Sequence, residues 1–403
     1  CIMLFLNRNH YYLKEGNFMH TWTIIGGGIQ ALTIALKLIH ADLPTSKLTL
    51  IDPHSNLCAQ FDERTKRINM PFLRSPCVHH VHPDPFHLKQ FAKTYQYMQA
   101  TLGKYQRPQR DMFIDHVHTL IHRYQLHNQH VIGSVTHIKQ HTHPQQQWVL
   151  TLNNKRSITT DNLVIAMGSH HDLNVPEIFH QQQNVQHIFD NTALQFHNCN
   201  HVVGSGVSAA HLVHKLLHYY QKHVHLWLNK TIAVHDFDAD PAWLGPKNMT
   251  KLTAFADSAE KLSFIEDERH KGSMPQELYL HLKKYQQQGR LTIHQTPITT
   301  IRNKQIHTID EQYNYDHILL ATGFKNSILQ QPIIKSLILE HAAPMTSCGY
   351  PQLSDTLEWL PQLFVSGGLA DLKLGPFARN IAGGREAAKR IAQAYFAQNF
   401  ISH

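Results

Sequence analysis

The sequence offers little with which to build a disulfide framework, a metal finger or a membrane span. Its five cysteines, Cys1, Cys58, Cys77, Cys199 and Cys348, stand far apart, and no Cys-x-x-Cys occurs. A dithiol working beside a redox cofactor is therefore disfavoured, and a reducing compartment, the cytoplasm, fits best. No apolar run approaches the ~18 residues that a spanning helix needs. Charge is also sparse: 16% of residues are Asp, Glu, Lys or Arg, with 37 basic against 29 acidic side chains and a formal charge of +8. The basic residues are scattered, without the block or basic helix that would mark a nucleic-acid or membrane surface. What the chain has instead is histidine, 35 in all. Because free imidazole titrates near pH ~6.5, mild acid adds many positive charges at once, and stability is expected to fall there.

At 403 residues the chain is long enough for about two to three domains with sizeable cores. Residues 1–18 have neither a long apolar stretch nor a cleavage pattern and are expected to be an upstream extension, loosely tied down, with Met19 the natural start. From Thr21 a β-branched run predicts a buried strand to Ile25. Gly26, Gly27 and Gly28 follow, then helical apolar spacing from Ile29 to His40 and a second strand ending at Asp52. This is strand, glycine turn, helix, strand, with G-x-G-x-x-A at Gly26, Gly28 and Ala31. Gly26 permits a sharp turn, Gly28 lets backbone N–H groups approach a pyrophosphate at the positive helix end, and Ala31 lets helix and strand pack closely. Asp52 is placed to accept hydrogen bonds from a ribose.

The pattern returns after His201–Val203, with Gly204, Gly206 and Ala209 as the fingerprint, Ser208 at the helix start, and VHLWL (224–228) as the next strand. No acid ends that strand. Asn229 and Lys230 stand there, and an amide and an ammonium attract a ribose 2′-phosphate that a carboxylate repels, so NADPH is favoured over NADH. Two such units in one chain predict FAD in the first and the nicotinamide cofactor in the second.

LVIAMG (163–168) and ILLATG (318–323), ending at Gly168 and Gly323, are expected to be the crossings between a discontinuous FAD domain and an inserted NADPH domain. The expected boundaries are 19–191 and 317–403 for FAD and 192–316 for NADPH. The fold class is thus α/β with two Rossmann-like dinucleotide-binding domains. Near the C-terminus, a strand Leu363–Val365 precedes a glycine-rich loop and a long helix. Gly367, Gly368 and Asp371 are expected to bring backbone donors to the flavin ribityl or pyrophosphate. Arg379 and Asn380 are expected near the flavin ring, at the positive end of the closing helix.

With GGGIQA, GSGVSA, HILLATGF, the loop NMPFLRSP and the following DPFHLKQF, the chain from about Met19 onward resembles the flavin-dependent N-hydroxylating monooxygenases that act on lysine and ornithine. Phe324 stands where that family has Tyr in an ATGY element. The resemblance implies that Asn69 replaces a Gln beside the flavin ring, and that Arg74 replaces a Lys contacting the amino-acid substrate. It implies NADPH as reductant, O₂ and a small amine or amino acid as substrates, and a flavin C4a-hydroperoxide as oxidant. Both altered positions weaken the link to lysine or ornithine themselves. As a planar fork, Arg74 is suited to clamp a carboxylate. Two alternatives stay open: an NAD(P)H-dependent flavin oxidoreductase or oxidase without oxygen insertion, and a non-catalytic flavin-binding regulator. Homo-oligomer formation is also left open.

The segment 235–255, rich in Pro, Gly and aromatics, is expected to form a lid over the nicotinamide. Histidine pairs at 79–82, 116–118, 141–143 and 223–225 invite a metal reading. Chance at this histidine content supplies about three such pairs, and none has a partner pair at finger spacing, so no metal is assigned. His79, His80 and His82 are expected to be solvent-facing loop residues.

Overall fold

The computed structural model describes residues 12–13, 20–142, 146–169 and 171–401. Most of the expected extension, Met19 and the second histidine of the 141–143 pair lie outside the described residues. Within the extension, the backbone of Tyr12–Leu13 pairs antiparallel with Phe400–Ile401.

Two parallel sheets organise the chain. In the first, the strand Trp22–Ile25 lies between Leu48–Asp52 and Asn162–Ile165. His130–Ile132 extends one side, and Leu363–Val365 followed by the antiparallel Glu358–Leu360 extends the other. The three inner strands are apolar on both faces because both are covered. On one face the helices Ile29–Ile39 and Ile381–Asn399 pack side by side, with Arg110–Arg123 in the same core. On the other lie the antiparallel strands Val135–His141, Gln147–Leu152 and Ser157–Thr160 with the helix Pro332–Glu340.

The second sheet runs Val185–His187, His317–Leu320, Cys199–Val203, Val224–Trp227, Leu291–His294, all parallel. The helices Val207–Tyr219 and Gln276–Gln287 cover one face. This sheet reaches past both expected edges of the inserted unit, 192 and 316. The strands on either side of those positions, Val185–His187 and His317–Leu320, hydrogen-bond to each other within it. HILL therefore completes the second sheet rather than returning to the first. The crossings lie just beyond, where Asn174 N donates to Gly323 O (3.0 Å) and Lys325 N to Asp172 O (2.9 Å), so the outgoing and returning chains pair as they pass.

The 235–255 segment contains a 3-10 turn, Pro241–Leu244, and a helix, Pro246–Thr253, rather than an irregular loop. Phe237 and Trp243 from it share a core with Tyr350, Leu372 and Phe377 of the first unit. Side chains of this size contribute about 1.5–3 kcal/mol each when fully buried. The segment thus fastens the second unit onto the first.

Candidate dinucleotide cleft

Both glycine turns are built the same way. Gly26 has φ +124°, its N–H donates to Ile51 O (2.7 Å), and an added Cβ would lie 2.5 Å from Ala166 O. Gly204 has φ +148°, its N–H donates to Trp227 O (2.9 Å), and an added Cβ would lie 2.5 Å from Ala321 O. In each unit the first glycine lets the turn pass against the first carbonyl beyond the end of the neighbouring strand. Neither position admits a side chain. LVIA and ILLA are equivalent parts of two separate sheets, and each is followed by a glycine with left-handed φ, Gly168 at +76° and Gly323 at +79°. Ala31 and Ala209 are fully buried where helix meets strand.

Gly28 and Gly206 cap the two helices in extended conformation. Open space lies where a Gly28 side chain would point. The first turn of each helix leaves N–H groups without an intrahelical partner, which suits a phosphate. Asp52 ends its strand as expected. One carboxylate oxygen accepts from Gly27 N (2.7 Å), and the other faces the backbone N–H (3.0 Å) and the ring Nδ1 (2.7 Å) of His54.

A cleft of about 720 Å³ lies between the units, lined by Gly204, Gly206, Ser208, Asn229 and Lys230 from the second and by Ser169, Arg379 and Asn380 from the first, with Gly323 at the returning crossing. The cations Arg64, Arg74, Lys230, Arg269, Lys271, Lys325 and Arg379 also line it, against the single carboxylate of Asp238. Such a wall favours a polyanionic ligand. A second cavity of about 470 Å³ opens beyond Asn229 and Lys230, walled by Phe179, Trp227 and Ile298. Its aromatic and aliphatic lining beside an amide and an ammonium suits an adenosine with a charged ribose substituent. Asn229 Oδ1 accepts from Ser205 Oγ (2.9 Å), and Lys230 Nζ donates to Lys271 O.

Beside Gly367 and Gly368 three buried polar atoms, Gln30 Oε1, Ser327 Oγ and Ser366 Oγ, have no partner among the described residues. Gln30 reaches from the opening helix to the turn just before the closing one, donating to Ala378 O (2.9 Å), and its Oε1 stands 3.2 Å from where a Gly367 side chain would begin. Unpaired buried acceptors of this kind fit a site built for a polar cofactor. Sequence reasoning passed over Gln30, although a lone amide in the helix IQALTIALKLI was a usable signal.

Several expected roles change. Arg74 is not free to clamp a substrate carboxylate. It donates to Asp238 Oδ1 (2.6 Å), Asp236 O (3.2 Å), His235 O (2.8 Å) and Ser273 Oγ (3.1 Å), all on the second unit. Asn69 adopts left-handed φ (+55°), is exposed, and donates to Tyr219 Oη (3.2 Å), so its amide is turned to the surface rather than into the cleft. For Asp371 only a backbone donor was expected; its carboxylate is wholly buried between two guanidiniums. Arg379 is one of these partners, and Asn380 donates to Asp238 Oδ2 (3.0 Å) across the cleft. No sequence signal pointed to Arg269, Asp371's other partner.

The 79–82 histidines also depart from expectation. His80 and His82 are buried, and Arg385 donates hydrogen bonds to both of their carbonyls. They join His87 and His116 in a packed imidazole cluster, with His87 Nδ1 2.8 Å from His116 Nε2. Burial, with help from neighbouring positive groups, lowers His80 to about 3 and His116 to about 2. Among the described residues no three His, Cys, Asp or Glu side chains converge as metal ligands.

Fold and cleft together define a two-unit dinucleotide-binding α/β protein. Residues 23–170 match the FAD-NAD(P)-binding family. The chain is similar in fold to ornithine hydroxylase from Pseudomonas aeruginosa, with 14% identity, TM-score 0.71, and 94% and 99% of the two chains covered. It is similar to the FAD-bound cadaverine monooxygenase of desferrioxamine biosynthesis from Erwinia amylovora, with 13% identity, TM-score 0.71 and coverage of 94% and 95%. It is similar as well to L-lysine 6-monooxygenase from Pseudomonas syringae, with 14% identity, TM-score 0.65 and coverage of 94% and 99%. No curated protein sequence matches the chain.

Proposed function

We propose that the chain is an FAD-dependent, NADPH-using oxidoreductase that hydroxylates a small amine or amino-acid-like substrate with O₂. The observation that carries this reading is the repetition of one glycine cradle, Gly26 against Ala166 and Gly204 against Ala321, in two units that share a cleft. FAD held in the first cradle supplies hydride acceptance and oxygen chemistry that side chains lack. The chain's own residues bind, orient and shield. The helix starting at Ile29 takes the flavin pyrophosphate, and Asp52 takes its ribose. The helix starting at Val207 takes the second dinucleotide, with Asn229 and Lys230 at its 2′-phosphate. Similarity to three amine-hydroxylating enzymes across 94% of the chain supports the substrate class.

A second reading, a flavin oxidoreductase or oxidase without oxygen insertion, is favoured by one observation: Arg74 is occupied by the second unit and leaves no clamp at the position the resemblance implies. Protein loaded with FAD and mixed with NADPH, O₂ and a panel of amines separates the readings. Hydroxylated amine formed in step with NADPH consumption is the expected result. Peroxide released stoichiometrically with every amine establishes the oxidase, and failure to retain FAD removes both.

A further inference from the structure

Asp371 is fully buried and accepts five hydrogen bonds from two guanidiniums. Arg269 donates through Nη2 to Oδ1 (2.7 Å) and through Nη1 to Oδ2 (3.1 Å). Arg379 donates through Nε to both oxygens (3.3 and 3.1 Å) and through Nη2 to Oδ2 (2.6 Å). Arg269 belongs to the second unit and is pinned further by Pro376 O (3.2 Å). Arg379 belongs to the first and stands beside Gly368, where an added Cβ would lie 3.5 Å from its Nε and 3.2 Å from Ser169 Cβ. The Nη1 of Arg379 has no partner among the described residues, and the side chain lines the cleft. Two cations share one anion here, so the trio keeps one unit of positive charge in a poorly solvated place. A buried cation left over in this way calls for an anionic group on the ligand.

We propose that Asp371 is a positioning residue: held by both units, it orients Arg379 so that the free edge of that guanidinium meets negative charge on the reduced flavin ring. The inference rests on the reading that the first cradle holds FAD. The ring, rather than a nicotinamide phosphate, is named because Arg379 stands beside Ser169 and Gly368, which follow strands of the first sheet. On the same reading, the phosphates of the second dinucleotide go to Gly204 and Gly206 of the second unit, which also line the cleft.

The test uses full-length protein loaded with FAD. Wild-type protein that retains FAD and is reduced by NADPH satisfies the functional reading, and protein that does not sinks that reading before any variant is made. In Arg379→Gln, affinity for reduced FAD is expected to fall about tenfold relative to oxidised FAD, the worth of one charge-assisted hydrogen bond. The KM for NADPH should hardly change. Arg379→Lys should recover part of that ratio. Asp371→Asn should lower the same ratio although Asp371 is not among the residues lining the cleft, and Arg269→Gln, which leaves Arg379 its partner, should lower it less. The Arg379 and Arg269 variants carry the test if Asp371→Asn does not fold. An unchanged affinity ratio in Arg379→Gln overturns the proposal. So does a rise confined to the KM for NADPH, which would put the anion on the second dinucleotide. Equal loss of oxidised and reduced FAD in the Asp371 and Arg269 variants would mean a purely structural ion pair and also overturns it.

Discussion

The guanidinium of Arg74 lies 2.6 Å from Asp238 Oδ1, so a side chain of the first unit's loop is spent on holding the second unit in place. Its side chain is 12% exposed, whereas Asp238 is 49% exposed, so the pair is partly screened by water. Replacing Arg74 with Ala removes a charged pair and several carbonyl contacts, and should cost about 1–3 kcal/mol, read as a lowered thermal midpoint. Lys, a point charge without the fork, should restore only part of the loss. An unchanged midpoint with a large rise in substrate KM would instead make Arg74 a substrate clamp.

The two glycine cradles should fail separately. Gly26→Ala places a Cβ 2.5 Å from Ala166 O and should give folded protein that loses its yellow colour on gel filtration. Gly204→Ala makes the equivalent clash with Ala321 O, and should leave the flavin in place while raising the KM for NADPH at least tenfold. Loss of flavin from the Gly204 variant alone would reverse the assignment of the two units.

Cofactor choice should follow Lys230. Its ammonium stands at the mouth of the cavity walled by Trp227 and Phe179. Lys230→Ala should reduce the preference for NADPH over NADH by about tenfold, mostly through the KM for NADPH, as expected for one charge-assisted bond to a phosphate. Equal loss with both cofactors would argue against a 2′-phosphate contact.

Stability should fall in mild acid. Burial lowers His80 to about 3, His116 to about 2 and His201 to about 3. Each folded-state value lies below the ~6.5 of an unfolded histidine. The unfolded chain therefore binds more protons below that pH. The stabilisation is complete above it and is lost as pH falls toward the folded values. Each such histidine forfeits about 1.4 kcal/mol per pH unit across this window. At constant ionic strength the thermal midpoint should therefore hold above about pH 6.5 and drop steeply from there to pH 5, the upper part of a window that runs down to the folded values of about 3 and about 2. Replacing His116, 0% exposed, with Phe should flatten the slope. A midpoint independent of pH over that range would contradict this origin.

Both dinucleotide units were legible from local order alone. Gly26, Gly28 and Ala31, and again Gly204, Gly206 and Ala209, sit between a β-branched strand and an amphipathic helix; Gly26 and Gly204 meet a carbonyl that no side chain could pass, and Ala31 and Ala209 are fully buried. The strand Leu363–Val365 was read with its observed bounds for the same reason: a short apolar run stopped by glycine. The outer edges of the inserted unit were misplaced because HILL and LVI are equally apolar, and composition does not say which sheet a buried strand joins. For another reason the role of Arg74 was misread, the carboxylate of Asp371 was left unassigned, and the 79–82 histidines were misread. Their partners, Asp238, Arg269 and Arg385, lie 164, 102 and more than 300 residues away.

The sequence by itself determined where the backbone must turn tightly and where helix must pack closely on strand, because those demands fall on residues a few positions apart and only glycine or alanine meets them. Tertiary structure alone decided the fate of the charged and ionisable side chains. A guanidinium, carboxylate or imidazole bonds to whatever the fold brings within about 3 Å. Here that made Arg74 a fastener between units, Asp371 a shared buried counter-ion and His80 a neutral core residue.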